Sequence, residues 1–355
     1  MNKIVLIVLC LIFSVTASCD NDSSSVDKKK NVENKVVWKM ASSFPGSLNI
    51  IGEGALNFVE RIDQVSNGSI TIKFFEPGAL VPALEVFDPV STGAIDAAWS
   101  TPGFWAGKIP AAQFFTAIPF GPSPGELLGW YYYGGGKDLW EEIYHKHNVH
   151  PVQCLMISPE ASGWFKKEIH SLEDLKGLKM RFFGLGAIVM GKLGVSTQLL
   201  APGDIYPALE LGTIDALEFS MPIIDKDFGF YQIAKHYYFP GWHQPFSTNE
   251  LLINLDRWNA LSSSQKAQIE TTCTESVVKS LAMSETRQPE ALEFYESVGV
   301  TLHRWPDEIL EKYKEAWDQV VEEKASEDED FARVWNSLSA YRDKYKVWKS
   351  LGYVD

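Results

Sequence analysis

The chain is poor in the features that mark catalytic, membrane-spanning or nucleic-acid-binding proteins. Its 355 residues hold four cysteines and seven histidines, with no H-E-x-x-H zinc motif, no paired C-x-x-C and no phosphate loop G-x-x-x-x-G-K-[ST]. Gly184-Leu185-Gly186 imitates the start of a dinucleotide loop, but Val189 stands where the third glycine belongs, which argues against a nucleotide site. Positive charge is scarce: 32 Lys and Arg face 46 Asp and Glu, a net charge of −14, and no basic cluster exceeds Lys28-Lys29-Lys30. This balance argues against a nucleic-acid partner, whose phosphates demand a cationic surface. Beyond residue 13, no apolar run is long enough to cross a bilayer.

What is present begins with a leader. Lys3 and the apolar run Ile4 to Phe13 precede the small residues Ser14-Val15-Thr16-Ala17-Ser18-Cys19. Ten apolar residues are too few for a permanent membrane helix, so residues 1–18 read as a signal peptide. The approach to Cys19 resembles a bacterial lipoprotein cleavage site, which would make Cys19 the lipidated N-terminus and the lipid the chain's only membrane anchor. Thr16, where such sites usually carry an aliphatic residue, leaves plain secretion as the alternative. Residues 19–35, nearly all Asn, Asp, Ser and Lys, cannot bury enough apolar area to fold and read as a disordered tether. Cys10 leaves with the signal. Cys154 in a strand-like run and Cys273 in a helix-like run are expected to be two buried free thiols rather than a bridge.

The body from Val36 onward is about 320 residues, enough for two lobes. Val36 to Met40, Ile70 to Phe74 and Ile95 to Trp99 read as strands, and Asn49 to Val65 and Ala83 to Thr92 as the helices between them. That order is an α/β lobe with a mainly parallel sheet, which binds ligands at the carboxyl ends of its strands. Gly93-Ala94-Ile95-Asp96-Ala97 is nearly copied by Gly212-Thr213-Ile214-Asp215-Ala216, each after a helix-like segment, as expected of two related halves. Lobe 1 is expected mainly over 36–155 and lobe 2 mainly over 156–255, both completed by later segments up to 305. Residues 306–355 form a helical region interrupted at Ser326 to Asp330.

Candidate site residues stand at strand ends. Arg181 ends a strand just before the Gly184–Gly186 turn and a helix, a place suited to holding a carboxylate or phosphate. Glu160 and Glu218 follow strands, with Phe219 beside the latter. Phe104 and Trp105 form an aromatic loop, and Asn249 and Asn254 lie on a strand where an amide can face the cleft. His145, His147 and His150 cluster in sequence, but their spacing around a helix end reads as solvated residues rather than metal ligands.

Several motifs in order carry a resemblance: Trp38-Lys39-Met40-Ala41-Ser42, the two Gly-x-Ile-Asp-Ala copies, Gly163-Trp164-Phe165-Lys166-Lys167-Glu168-Ile169, Asp174 to Arg181 and Tyr237-Tyr238-Phe239-Pro240-Gly241-Trp242. Together they resemble the solute-binding proteins of tripartite ATP-independent periplasmic (TRAP) transporters, most closely the branch for 2-oxo and 2-hydroxy monocarboxylates. The resemblance implies a two-lobed periplasmic binding protein fold with a cleft between α/β lobes. Arg181 would clamp the ligand carboxylate, and a metal cation, calcium or sodium, would be held by Glu160, Glu218 and Phe219. It also implies membrane permease subunits as partners, no catalysis, and in some relatives a homodimer through the C-terminal helices. The chain departs from the branch in Glu160 for a glutamine, Phe219 for a tryptophan and Gly103-Phe104 where tyrosine is usual; a second carboxylate favours calcium over sodium. The alternatives are a secreted enzyme using Glu160 and Glu218 on a sugar or sugar acid, and a ligand sensor for a membrane receptor.

Overall fold

The computed structural model describes residues 35–353. The expected signal peptide, Cys19 and all but the last residue of the tether lie outside them. In chain order the elements are β1 (Val36–Ser42), α1 (Ile51–Val65), β2 (Ile70–Phe75), α2 (Phe87–Ser91), β3 (Ala97–Ser100), α3 (Pro124–Tyr133), α4 (Gly136–His145) and β4 (Val149–Ile157). A second series follows: β5 (Gly163–Phe165), β6 (Lys179–Arg181), α5 (Gly184–Lys192), β7 (Ser196–Gln198), α6 (Pro202–Glu210), β8 (Ala216–Leu217), α7 (Pro222–Phe228) and β9 (His236–Phe239). The chain closes with β10 (Ser247–Asn254), α8 (Leu255–Asn259), α9 (Ser263–Thr286), α10 (Gln288–Ser297), β11 (Thr301–Arg304), α11 (Asp307–Glu327) and α12 (Glu329–Gly352).

Two mixed sheets organise the lobes, in the orders β2-β1-β3-β10-β4 and β11-β9-β5-β8-β6-β7. The strand β10 belongs to the first sheet, so the second lobe ends before residue 247 rather than near 255, and β11 returns to complete it.

The halves repeat the same unit. In each, a central strand pairs in parallel with two others, β1 with β2 and β3, β6 with β7 and β8. Gly93 and Gly212 both take φ of 75°, a left-handed cap that a side chain would strain. The aspartate three residues on does the same work twice: Asp96 Oδ2 accepts from Lys39 N at 2.9 Å, and Asp215 Oδ2 from Lys179 N at 3.1 Å. The repeated Gly-x-Ile-Asp-Ala therefore encodes a cap followed by a tie to the central strand.

The cysteines are not free thiols. Cys154 on β4 and Cys273 on α9 form a disulfide, their Cα atoms 4.1 Å apart. The expectation failed because pairing depends on how α9 lies on β4. Ser280 Oγ donates to Met156 O and accepts from Met156 N, and Ser284 Oγ accepts from Ser158 N, which sets the register that brings Cys273 onto Cys154.

The C-terminal helices pack mainly on their own body. Asp328 caps α12 at the expected break, its carboxylate accepting from Phe331 N at 2.7 Å. The buried face Phe331, Val334 and Leu338 meets the first lobe, with Phe331 and Phe114 centroids 4.4 Å apart, and Arg342 donates to Glu126, Phe120 O and Gly121 O. Ser123, inside a Gly-x-Ser-x-Gly run with the letter pattern of a nucleophile elbow, is the N-cap of α3 and accepts from Glu126 N.

Candidate binding site

The carboxyl ends of the parallel strands face a narrow cleft between the lobes. From the first lobe come Phe44, Ile51, Thr101, Phe104, Ser247 and Asn249; from the second lobe and the crossovers come Glu160, Arg181, Phe183, Phe219, Ser220 and Gln244. Phe104 stands edge-on to Phe183 at 5.5 Å across the cleft and stacks on Phe44 at 5.7 Å, forming an apolar wall. Gly103 leaves room for the Phe183 ring, since a Cβ there would lie 2.2 Å from Phe183 Cζ and push the ring aside. At the cleft mouth Asn49 closes on Asp227, its backbone N–H at 2.7 Å from Oδ2 and its side-chain amide at 2.8 Å from Oδ1. Ile50, at φ 59°, makes the sharp turn that presents this asparagine.

Arg181 and Glu218 form the floor. The pairing of β6 with β8 sets them side by side, with Glu218 N donating to Arg181 O at 2.9 Å. Arg181 Nη1 returns to the Glu218 carbonyl and to Oε2 at 3.1 Å, and Phe183 N donates to the same Oε2 at 3.0 Å. The guanidinium sits 5.3 Å from the Phe219 ring centroid. Both charged groups are buried, so the pair fixes geometry more than it stabilises the fold.

The balance of buried charge is negative. Burial pushes the Glu160 carboxyl well above its ordinary pKa, Glu218 and Asp225 reinforce the rise, and the Ser247 hydroxyl and Arg181 offset only part of it. Burial also raises Asp225 to about 7, although Trp164 Nε1, Tyr237 OH and Ser220 N all donate to it. For Arg181 burial lowers the pKa and the three carboxylates oppose it. Glu160 Oε2 and Glu218 Oε1 are buried with no hydrogen-bond partner, and one carboxylate oxygen of each residue lies within 4.8 Å of one of the other's. That is the donor set a hard cation needs, and the residues present fit one.

Of the residues singled out in the sequence, the fold gathers Arg181, Phe104, Glu160, Glu218, Phe219 and Asn249 at this cleft. Trp105 does not join them. The short turn after β3 swings its indole into the first lobe's core, where Nε1 donates to Glu250 at 2.7 Å. Asn254 is also elsewhere, capping α8 and donating to Val90 O. Of the histidines expected to be solvated, His150 is buried: it pairs with the half-exposed His145 at 2.9 Å and stacks on Trp258 with centroids 3.9 Å apart, while His147 stays half-exposed. Sequence reasoning missed His243, Gln244, Ser220 and Asp225. The polar pair His243-Gln244 inside the proline-bounded loop 240–245 was the available signal. A larger groove between α1 and α9, about 300 Å³, is mostly apolar, and its charges Arg61, Glu275 and Lys279 pair with one another at the rim.

Comparison with known proteins gives a consistent picture. The model of the bacterial extracellular solute-binding protein family 7 (DctP) matches residues 41–328. The monocarboxylate 2-oxoacid-binding periplasmic protein of Nostoc sp. is 36% identical over 313 residues, 88% of this chain and 86% of that protein. A TRAP transporter solute-binding protein from Bordetella bronchiseptica, solved as a mixed-occupancy dimer with copurified calcium and picolinate, superposes with a TM-score of 0.87 at 33% identity, covering 90% of this chain and 95% of that one. A TRAP periplasmic solute-binding protein from Pseudoalteromonas atlantica, with bound sodium and pyruvate, superposes with a TM-score of 0.85 at 29% identity, covering 89% and 96%.

Proposed function

This chain belongs to family 7 of the bacterial extracellular solute-binding proteins, the DctP family of TRAP solute receptors, and on that premise we propose that it captures a small 2-oxo or 2-hydroxy monocarboxylate of the pyruvate class together with a cation. The observation that carries this reading is the buried Arg181 set beside the unpartnered oxygens of Glu160 and Glu218. Arg181 holds the ligand carboxylate. Glu160, Glu218 and Phe219 hold the cation, which supplies the positive charge that two buried carboxylates need and ties ligand to protein. Phe104 and Phe183 close over the ligand and Asn249 borders it. Closure is a population shift, driven by contacts that exist only when the lobes meet.

The captured acid is handed to the membrane permease subunits of the transporter. The protein works outside the cytoplasm, lipid-anchored through Cys19. A homodimer is part of the proposal, in keeping with the dimer of the Bordetella relative. Membership of a family of binding proteins favours capture over the glycan-acting alternative.

A thermal-shift panel tests the reading, because a ligand that binds only the native state raises the melting temperature. Pyruvate, lactate, longer 2-oxo acids, dicarboxylates and sugar acids are compared with and without calcium. Stabilisation by a monocarboxylate is expected; stabilisation by sugar acids alone overturns the ligand class.

A further inference from the structure

Phe104 stands between two cavities. Its side chain borders the solute cleft, and it also borders a second cavity of about 450 Å³ lined by residues 81–108 of the first lobe. The second cavity is walled by Val81, Leu84, Phe87, Pro89 and Trp105. Its cation, Lys108, is already paired with Asp88 and lies 5.5 Å over the Phe87 ring, and Glu85 adds a negative charge. A chain ending in a methyl group suits such a lining, whereas one ending in a carboxylate would meet acidic side chains and no free cation.

Aromatic contact alone holds the Phe104 ring in place. Phe44 of the first lobe stacks on it at 5.7 Å, and Phe183 of the second stands edge-on at 5.5 Å. The next ring turns away: Trp105 lies at 81° to Phe104, packs on Phe87 at 5.1 Å and donates to Glu250. The backbone of the turn is fixed independently of either face of the wall. Thr101 Oγ1 donates to Thr248 O at 3.0 Å, Phe104 N to Thr101 O at 3.2 Å and Lys108 N to Trp105 O at 2.8 Å. Truncating Phe104 therefore opens the wall without unmaking the turn that carries it.

We propose that Phe104 is a specificity-determining residue, whose ring closes the solute cleft towards the second cavity and so restricts the 2-oxo acid to a short chain. The inference rests on the 2-oxo acid reading above and deepens it. With the ring in place, each added methylene has to displace Phe104 from Phe44 and Phe183. With the ring removed, an unbranched apolar tail passes into the second cavity and gains about fourfold in affinity for each methylene buried there.

The test is calorimetric titration of the mature full chain, supplied with calcium, with pyruvate, 2-oxohexanoate and 2-oxoadipate. The unsubstituted protein should bind pyruvate at least about 10-fold tighter than 2-oxohexanoate, and Phe104→Ala should move that ratio at least about 10-fold towards 2-oxohexanoate without a matching gain for 2-oxoadipate. Leu84 lines the second cavity and not the cleft, so Leu84→Trp should leave pyruvate binding unchanged by itself and cancel the gain when combined with Phe104→Ala. An unchanged ratio in Phe104→Ala, a gain that survives Leu84→Trp, or an equal gain for 2-oxoadipate overturns the proposal. Equal affinity of the unsubstituted protein for pyruvate and 2-oxohexanoate overturns it too, while leaving the proposed function standing. If no 2-oxo acid binds any of these proteins, the proposed function falls with it. Each ratio is read within one protein, so a loss of stability in a variant does not imitate the expected result.

Discussion

Replacing Arg181 with methionine tests the floor of the cleft. Arg181 is the only buried lysine or arginine among the described residues, and it lies among the carboxylates of Glu218, Glu160 and Asp225. Methionine keeps much of the volume and removes the charge, so Glu218 loses its side-chain partner while staying buried. Breaking one side of a buried pair costs about 3–5 kcal/mol. For a folded body of about 320 residues the unfolding entropy is roughly 0.7 kcal/mol per degree, so the melting temperature should fall by about 4–7 °C. Binding loses at least two charged hydrogen bonds, about 3 kcal/mol or roughly 150-fold in Kd. Calorimetric titration with pyruvate and a melting curve on the same sample check both numbers. A variant that melts within about 1 °C of the parent and binds within about threefold would refute the account of Arg181.

Three further outcomes are expected. Replacing Cys154 and Cys273 together with alanine removes a link across 119 residues, and guanidinium unfolding should show a loss of up to about 5 kcal/mol by loop entropy. Asn49→Ala removes the clasp on Asp227 at the cleft mouth; an exposed contact of about 1 kcal/mol that exists only on closure should weaken pyruvate about fivefold, seen in titration with little change in melting. Glu250 is raised to about 8 by burial, with Trp105 and Tyr144 donating to it. A carboxyl raised in the folded state favours folding while protonated, so its contribution is complete below about pH 4.5 and is lost as pH rises towards 8. Glu250→Gln should therefore flatten the stability profile between those values and leave the variant more stable than the parent at pH 9, measured by denaturant midpoints.

The parts of the molecule that could be read beforehand are those written locally. Gly93 and Gly212 announce left-handed caps, and the aspartate three places on announces the tie that follows. Arg181 and Glu218 could be found because strand ends in an α/β lobe face the ligand. What could not be read depends on packing between distant segments. The disulfide needs the register of α9 on β4, which rests on Ser280 and Ser284. Trp105 follows a strand as Phe104 does, yet a single tight turn sends the two rings in different directions, one to the cleft and one to Glu250. His243 comes to lie beside Glu218 only because two crossovers and two glycines meet around it. Ile50 at positive φ, the centre of a three-residue turn closed by Ile51 N on Asn49 O, has no sequence signature, because a β-branched residue is the last choice for that position.

The most direct test of a cation-bridged carboxylate site is a calorimetric titration of pyruvate into chelator-stripped protein and into the same protein supplied with a divalent cation. With Glu160 Oε2 and Glu218 Oε1 both buried and unpartnered, pyruvate should bind tightly only when the cation is present, with at least a 10-fold weaker Kd, roughly 1.4 kcal/mol, in its absence. Equal affinity in chelator, or no binding of pyruvate under either condition, would contradict the account.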